Sequence, residues 1–258
     1  MKKDTSWGKV ATWYDTVVND DDSYQNKVIL PNMMRIVAPH KGLRVLDLAC
    51  GQGFFSRAFA GAGARVTGID IAPELIDLAQ SRAGHNEEYI VSSADNLSSC
   101  KDSEFDVVTM VLALQNVEAM AKALREAGRV TKEGGKFVIV LNHPAFRIPD
   151  KTSWGFDEEK KVQYRRVDEY LSESRKAIDM NPKNPGKEMT QSFHRPLQNY
   201  SKSLANAGFA ILRIEEWVSH KKSEQGIRQM AEDKSRKEIP LFMCLECIKL
   251  GGQAVVQK

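Results

Sequence analysis

Little in this 258-residue chain suggests a membrane, a secreted scaffold or a nucleic-acid surface. No apolar run reaches the roughly 18 residues that a bilayer-crossing helix needs, so no integral membrane segment is expected. The opening MKKDTSWGKV has lysines but no apolar stretch behind them, so no secretory leader is expected and the cytoplasm is the expected location. Charge of one sign is not in excess. The 37 Lys and Arg stand against 34 Asp and Glu, and a net +3 is too small to mark a nucleic-acid partner. Cysteine is sparse: Cys50, Cys100, Cys244 and Cys247 form no disulfide framework. Cys244-x-x-Cys247 lacks the second pair a zinc site would use. It also falls in a strand-like run, where residues three apart point to opposite faces. No metal is therefore expected, and the thiols read as buried groups. No internal repeat or low-complexity stretch is visible.

What is present centres on residues 45–59, VLDLACGQGFFSRAF. A buried strand over residues 43–48 runs into a turn with Gly51 and Gly53, then into a helix over residues 54–62. Open α/β sheets bind ligands at the carboxyl ends of such strands. Glycine lets backbone approach a ligand, and the helix N-terminus offers unpaired N–H groups. A dinucleotide loop would carry a third glycine, and a P-loop a Gly-Lys-Ser/Thr; neither is here. Asp47, at the strand's end, would repel a pyrophosphate and suits a ligand with an ammonium group.

Further short strands follow in order. RVTGID ends in Asp70, near the spacing of an acid that bonds ribose hydroxyls. YIV precedes Ser93-Ala94-Asp95-Asn96, FDVVTMV is apolar on both faces as a fully buried strand should be, and Gly134-Gly135-Lys136 turns into a fifth strand. This series resembles the class I S-adenosylmethionine-dependent methyltransferases, in the small-molecule branch of the ubiquinone/menaquinone-biosynthesis type. The resemblance implies S-adenosylmethionine as cofactor. It implies that Asp47, Ala49, Gly51 and Gly53 wrap the methionine end. It places Asp70 and Ile71 at the ribose and Ala94, Asp95 and Asn96 at the adenine, with Asp95 taking the exocyclic amine and Val111 beside the cofactor. Tyr14 and Tyr24 are the expected pocket walls from the N-terminal helices. Those aromatics equally suit a purely structural staple of that segment.

The expected fold class is α/β, a Rossmann-like, seven-stranded, doubly wound sheet with an antiparallel edge pair and a lid insertion after the fifth strand. One domain is expected over residues 1–258: cap helices over 1–41, a cofactor-binding core over 42–141, a lid over 142–196, and the end of the sheet over 197–258. The lid is far longer than an ordinary connection and needs structure of its own. Residues 157–171 read as a helix, and residues 174–180 and 188–194 as two strands around the turn-rich NPKNPGK. The charged stretch 219–238 reads as a solvated excursion.

Methyl transfer asks mainly for alignment and exclusion of water, so a thin catalytic inventory is expected. His143 follows the fifth strand and titrates in the right range for a base; it equally suits a turn contact. Gln115 and Asn116, where relatives often have a histidine, are candidates to orient the acceptor. Arg147, Trp154, Tyr164, Arg165, Arg166 and Arg195, all in the insertion, offer a surface for a carboxylate or phosphate with an apolar body, although the Arg165-Arg166 pair also suits a solvent-facing helix surface. His194, at the end of the lid, is a separate candidate for the pocket. The expected partner is a small-molecule acceptor that is methylated on O, N or C; oligomeric state is not legible. A nucleotide-cofactor oxidoreductase or a non-catalytic cofactor-binding regulator remain alternatives. The Asn/Asp-Pro-Pro-aromatic motif of base-methylating enzymes is absent.

Overall fold

The computed structural model describes residues 6–180 and 188–251. NPKNPGK lies outside the described residues. Seven strands form one sheet in the order β3-β2-β1-β4-β5-β11-β10. They are β1 (Arg44–Leu48), β2 (Arg65–Asp70), β3 (Glu87–Val91), β4 (Phe105–Val111), β5 (Thr131–Asn142), β10 (Phe209–Trp217) and β11 (Phe242–Lys249). The first five pair in parallel, and β11 runs antiparallel between β5 and β10. Helices cover both faces of the sheet, so the central strands are largely apolar.

Side-chain alternation along β5 builds two cores at once. Phe137, Ile139 and Leu141 point to one face, packed by the helices Met120–Val130 and Leu197–Asn206. Val138 and Val140 point to the other, packed by Leu30–Val37 and Phe54–Gly61. Each such fully buried side chain contributes about 1.5–3 kcal/mol. The same alternation sends Cys244 and Cys247 to opposite clusters. All four cysteines are free and buried.

The segment after β5 departs from expectation. Residues 157–171 are not a helix. They belong to a hairpin of β6 (Thr152–Asp157) and β7 (Val162–Val167), antiparallel with Trp154 opposite Arg165. β8 (Ser174–Asp179) and β9 (Met189–His194) form a second antiparallel pair. In β7 the usual burial is inverted: Val162 and Tyr164 are exposed, while Gln163 and Arg165 turn partly inward. The stretch 219–238 is also more than an excursion. The helix Gln229–Glu238 covers the first hairpin, with Ser235 Oγ donating to Gln163 O at 2.9 Å. Among the described residues no helix is long and apolar enough to cross a membrane.

Candidate active site

The carboxyl ends of β1, β2 and β4 open into a cavity of about 470 Å³. The turn that shapes it carries Gly51 at φ +57° and Gly53 at φ +80°. Ala49 (φ +55°) and Leu112 (φ +53°), just past β1 and β4, also hold left-handed backbone and line the same cavity. Strain of this kind on non-glycine residues gathers at functional sites. Gly51 N donates to Asp70 Oδ2 and Ala72 N to Asp70 Oδ1, each at 2.9 Å. Asp70 thus ties the two strand-end turns together while lining the cavity. Burial raises its carboxyl above the ordinary range.

Tyr14, Ala49, Gly51, Asp70, Ile71, Ala94, Asp95, Val111 and Asn116 are all brought to this cavity. Asp95 accepts from Ser93 Oγ and pairs with Lys122 at 3.6 Å; the hydroxyl and the ammonium hold its carboxyl below the ordinary value. Tyr14 comes from the N-terminal helix Ala11–Val18, which is clamped by the Arg82 guanidinium on Asp15 at 2.6 and 2.8 Å. Burial, then Asp70 and Asp47, push the Tyr14 phenol up to about 12, so it stays neutral.

A small adjoining pocket shares Tyr14, Ala49 and Val111 with the main cavity and adds Asp47, Cys50 and Gln52. Asp47 is 1 % exposed. Its Oδ2 accepts from Ser56 Oγ at 2.6 Å and its Oδ1 from Thr109 Oγ1 at 2.8 Å. Burial outweighs these bonds and pushes its carboxyl up to about 6. Beside it, Gln52 Nε2 is buried with no hydrogen-bond partner. An unpaired donor next to a buried carboxylate fits an amino-acid group, whose carboxylate accepts and whose ammonium donates.

Five expectations change. Gly53 lines none of these cavities: a Cβ there would lie 2.5 Å from the Tyr89 hydroxyl, so packing and its positive φ require glycine. Asn96 is exposed and outside the cavities, because the turn around it points its side chain to solvent. Tyr24 packs edge-on against Phe242 and His220, its hydroxyl 3.0 Å from Ser219 Oγ, in the core cluster rather than the cavity. Trp154 is 42 % exposed on β6 beneath the Arg165 guanidinium. His143 is buried in the turn after β5. Its Nε2 lies 2.7 Å from Glu216 Oε1, and its Nδ1 accepts from Ala145 N and Phe146 N at 3.2 and 3.4 Å. Burial lowers its pKa against the pull of Glu216, and it lines none of these cavities.

Gln115, Arg147 and His194 line a second cavity of about 350 Å³, on the far side of the turn Leu114–Asn116. His194 Nε2 is 2.8 Å from Tyr170 O, and Asn116 Nδ2 donates to Gln191 O on β9 at 2.8 Å. Gln52, Trp7 and Ser93 also line these cavities and were not candidates in the sequence. A polar residue between two turn glycines was the available signal for Gln52; Trp7 had none beyond its aromaticity. Among the described residues no group of three or more His, Cys, Asp or Glu side chains is placed to hold a metal ion.

Acids at the ends of β1 and β2, a glycine turn without a phosphate-gripping lysine, and this strand order accompany a match to a methyltransferase domain over the central part of the chain. Residues 46–139 match the family described as Methyltransferase domain. Among curated proteins the chain is similar to a ubiquinone biosynthesis O-methyltransferase of Xanthomonas oryzae pv. oryzae, 38 % identical over 105 residues, covering 39 % of this chain and 44 % of that protein. It is also similar to a demethylmenaquinone methyltransferase of Clavibacter sepedonicus, 34 % identical over 141 residues, covering 51 % and 57 %. The chain thus spans about half the length of the curated relatives it matches. Among solved structures, an S-adenosylmethionine-dependent methyltransferase from Mesorhizobium loti superposes with a TM-score of 0.68 at 25 % identity, covering 85 % of this chain and 96 % of that one.

Proposed function

We propose that the chain transfers the methyl group of S-adenosylmethionine to an O, N or C atom of a small molecule. The observation that carries this reading is the division of the site. A roomy cavity holds Asp70 and Asp95, and a small pocket behind Tyr14 pairs Asp47 with the unpartnered Gln52 Nε2. In this reading Asp47 and Gln52 hold the methionine ammonium and carboxylate, Gly51 lets backbone approach, Asp70 accepts the ribose hydroxyls and Asp95 the adenine amine. The bound cofactor supplies an electrophilic methyl group on a sulfonium. The chain's own residues align the acceptor and keep water out, the former alone supplying much of the acceleration. Trp7 and Tyr14, in edge contact with ring centres 5.4 Å apart, close the N-terminal side. His143 is assigned to the turn rather than to proton transfer, because its ring is already engaged at both nitrogens. The described residues of the insertion, 142–180 and 188–196, face the acceptor in this reading. Similarity to a ubiquinone biosynthesis O-methyltransferase supports an aromatic or lipid-like acceptor attacked through oxygen. Four free, buried thiols suit a reducing, cytoplasmic setting.

The test is label transfer from methyl-labelled S-adenosylmethionine to a collection of phenols, acids, amines and lipids. Labelled product is expected, together with a loss of cofactor affinity of about a hundredfold in Asp70→Ala, the scale of two charge-assisted hydrogen bonds. Cofactor bound with no product from any acceptor class would favour the regulator; NAD bound in its place would favour the oxidoreductase.

A further inference from the structure

The second cavity is cationic and short of partners. Arg147, Arg165 and Arg195 all line it. Not one of the three guanidiniums is paired with a carboxylate among the described residues. Arg147 lies over the Phe242 ring at 6.0 Å, burial lowers its guanidinium from its ordinary value, and that guanidinium makes no hydrogen bond among the described residues. Arg165 donates only to neutral oxygens, Nε to Phe146 O at 3.0 Å and Nη2 to Thr152 Oγ1 at 2.7 Å. Arg195 Nη2 donates to Val117 O and Glu118 O at 3.0 Å, while its Nη1 is buried with no partner. The one acid in the lining, Asp150, is taken by Lys176 Nζ. Gln115 Oε1, in the same wall, is a second buried atom without a partner; its Nε2 is held by Leu112 O at 2.7 Å.

Surface cations ordinarily meet solvent or an acid, and a buried guanidinium donor ordinarily finds an acceptor. Here β7 turns Arg165 inward and leaves Val162 and Tyr164 outside, against their burial preferences. Burial, and then the neighbouring charge of Arg147, lower the Arg165 guanidinium from its ordinary value. A crowd of like charges with unused donors is relieved by an incoming anion, and planar guanidiniums suit carboxylate and phosphate oxygens. The cavity also has a place in the reaction. Gln115 stands in its wall and the next residue, Asn116, stands in the wall of the cofactor cavity, so the turn Leu114–Asn116 contributes to both.

We propose that the second cavity binds the carboxylate or phosphate group of the methyl acceptor through Arg147, Arg165 and Arg195, with Gln115 Oε1 receiving a donor on the same molecule. The word acceptor rests on the methyl-transfer reading; the anion site itself does not. Calorimetry on the full chain, saturated with S-adenosylhomocysteine, uses inorganic phosphate and benzoate as separate probes. Wild type is expected to bind at least one of them. Arg147→Gln should weaken that binding by roughly tenfold or more, with Arg147→Lys in between and S-adenosylhomocysteine affinity unchanged. The Arg147 guanidinium has no side-chain hydrogen bond among the described residues to lose, and its backbone N–H bond to His143 O does not depend on the side chain; Arg165→Lys provides the second reading. Absence of binding by both probes, or wild-type binding in both Arg147→Gln and Arg165→Lys, overturns the site.

Two further arms separate the parts of the proposal. In label transfer, acid-bearing acceptors should be methylated in preference to their amides, with Arg147→Gln raising KM while kcat holds. Equal turnover of acids and amides overturns the acceptor-borne assignment. Wild type that binds phosphate but not S-adenosylhomocysteine would remove methyl transfer, and the acceptor role with it, and leave the anion site standing.

Discussion

Asp47 shows how one side chain sets a pH window. In the unfolded chain its carboxyl ionises near 3.8; in the fold, burial moves it up to about 6. Between these values the folded state keeps a proton that the unfolded state has released. This group's contribution to stability therefore falls as pH rises from about 4 to about 6, by an order of about 3 kcal/mol, and stays at that lower level above. A ligand ammonium needs the ionised form, so affinity runs the other way. Binding of S-adenosylhomocysteine should be flat above pH about 6 and weaken by about tenfold per unit below it. Asp47→Asn keeps a carbonyl to accept from Ser56 or Thr109 but cannot titrate, so its affinity should be lower and level across the same range. Calorimetry from pH 5 to 7.5 reads both curves, and parallel curves would detach Asp47 from the ligand.

At the scale of the element, the two turn glycines serve different ends. Gly53 has φ +80° and an added Cβ would meet the Tyr89 hydroxyl at 2.5 Å; Gly51 has φ +57° and room, its nearest atom on Tyr14 at 3.6 Å. Gly53→Ala should cost about 1–3 kcal/mol from strain and crowding, a fall in Tm of about 3–10 °C for a domain of this size. Gly51→Ala carries the backbone strain alone and should fall less in Tm but lose more cofactor affinity, because its methyl enters the cavity. Melting and calorimetry on the pair check the division; equal losses in both measurements would refute it. The motif alone did not separate these roles, since Tyr89 reaches Gly53 from a strand 36 positions on. The insertion was misread for a related reason. Strand β7 has the period of a strand, but its apolar residues face out and Arg165 faces in, so a pattern scored by hydrophobicity points the wrong way. The helix Gln229–Glu238 escaped notice because it buries Ser235 against a hairpin rather than an apolar stripe against the core.

For the molecule as a whole, the sheet was legible because its central strands are short apolar runs separated by helices, a pattern that burial on both faces enforces. The placement of the candidate residues was legible where it depends on strand ends: Gly51, Asp70 and Asp95 reach the main cavity and Asp47 the adjoining pocket. It was not legible where chain distant in sequence decides what a residue touches, as with Glu216 on β10, which engages His143 and leaves that ring away from the cavities. The same architecture can hold different nucleotide cofactors, so the discriminating measurement belongs to the intact chain. A ligand that binds only the folded state stabilises it by about 2.7 kcal/mol at a hundredfold excess over Kd. In a domain of this length each kcal/mol moves Tm by about 2–4 °C, so S-adenosylhomocysteine at that excess should raise Tm by about 5–10 °C. NAD at the same concentration should leave it in place, because the small pocket sets the Asp47 carboxylate where a pyrophosphate would bring further negative charge. Asp70→Ala should reduce the S-adenosylhomocysteine shift to a degree or two at that concentration. A larger shift with NAD than with S-adenosylhomocysteine would turn the assignment toward hydride transfer, and the carboxylate at the end of β1 would then need another account.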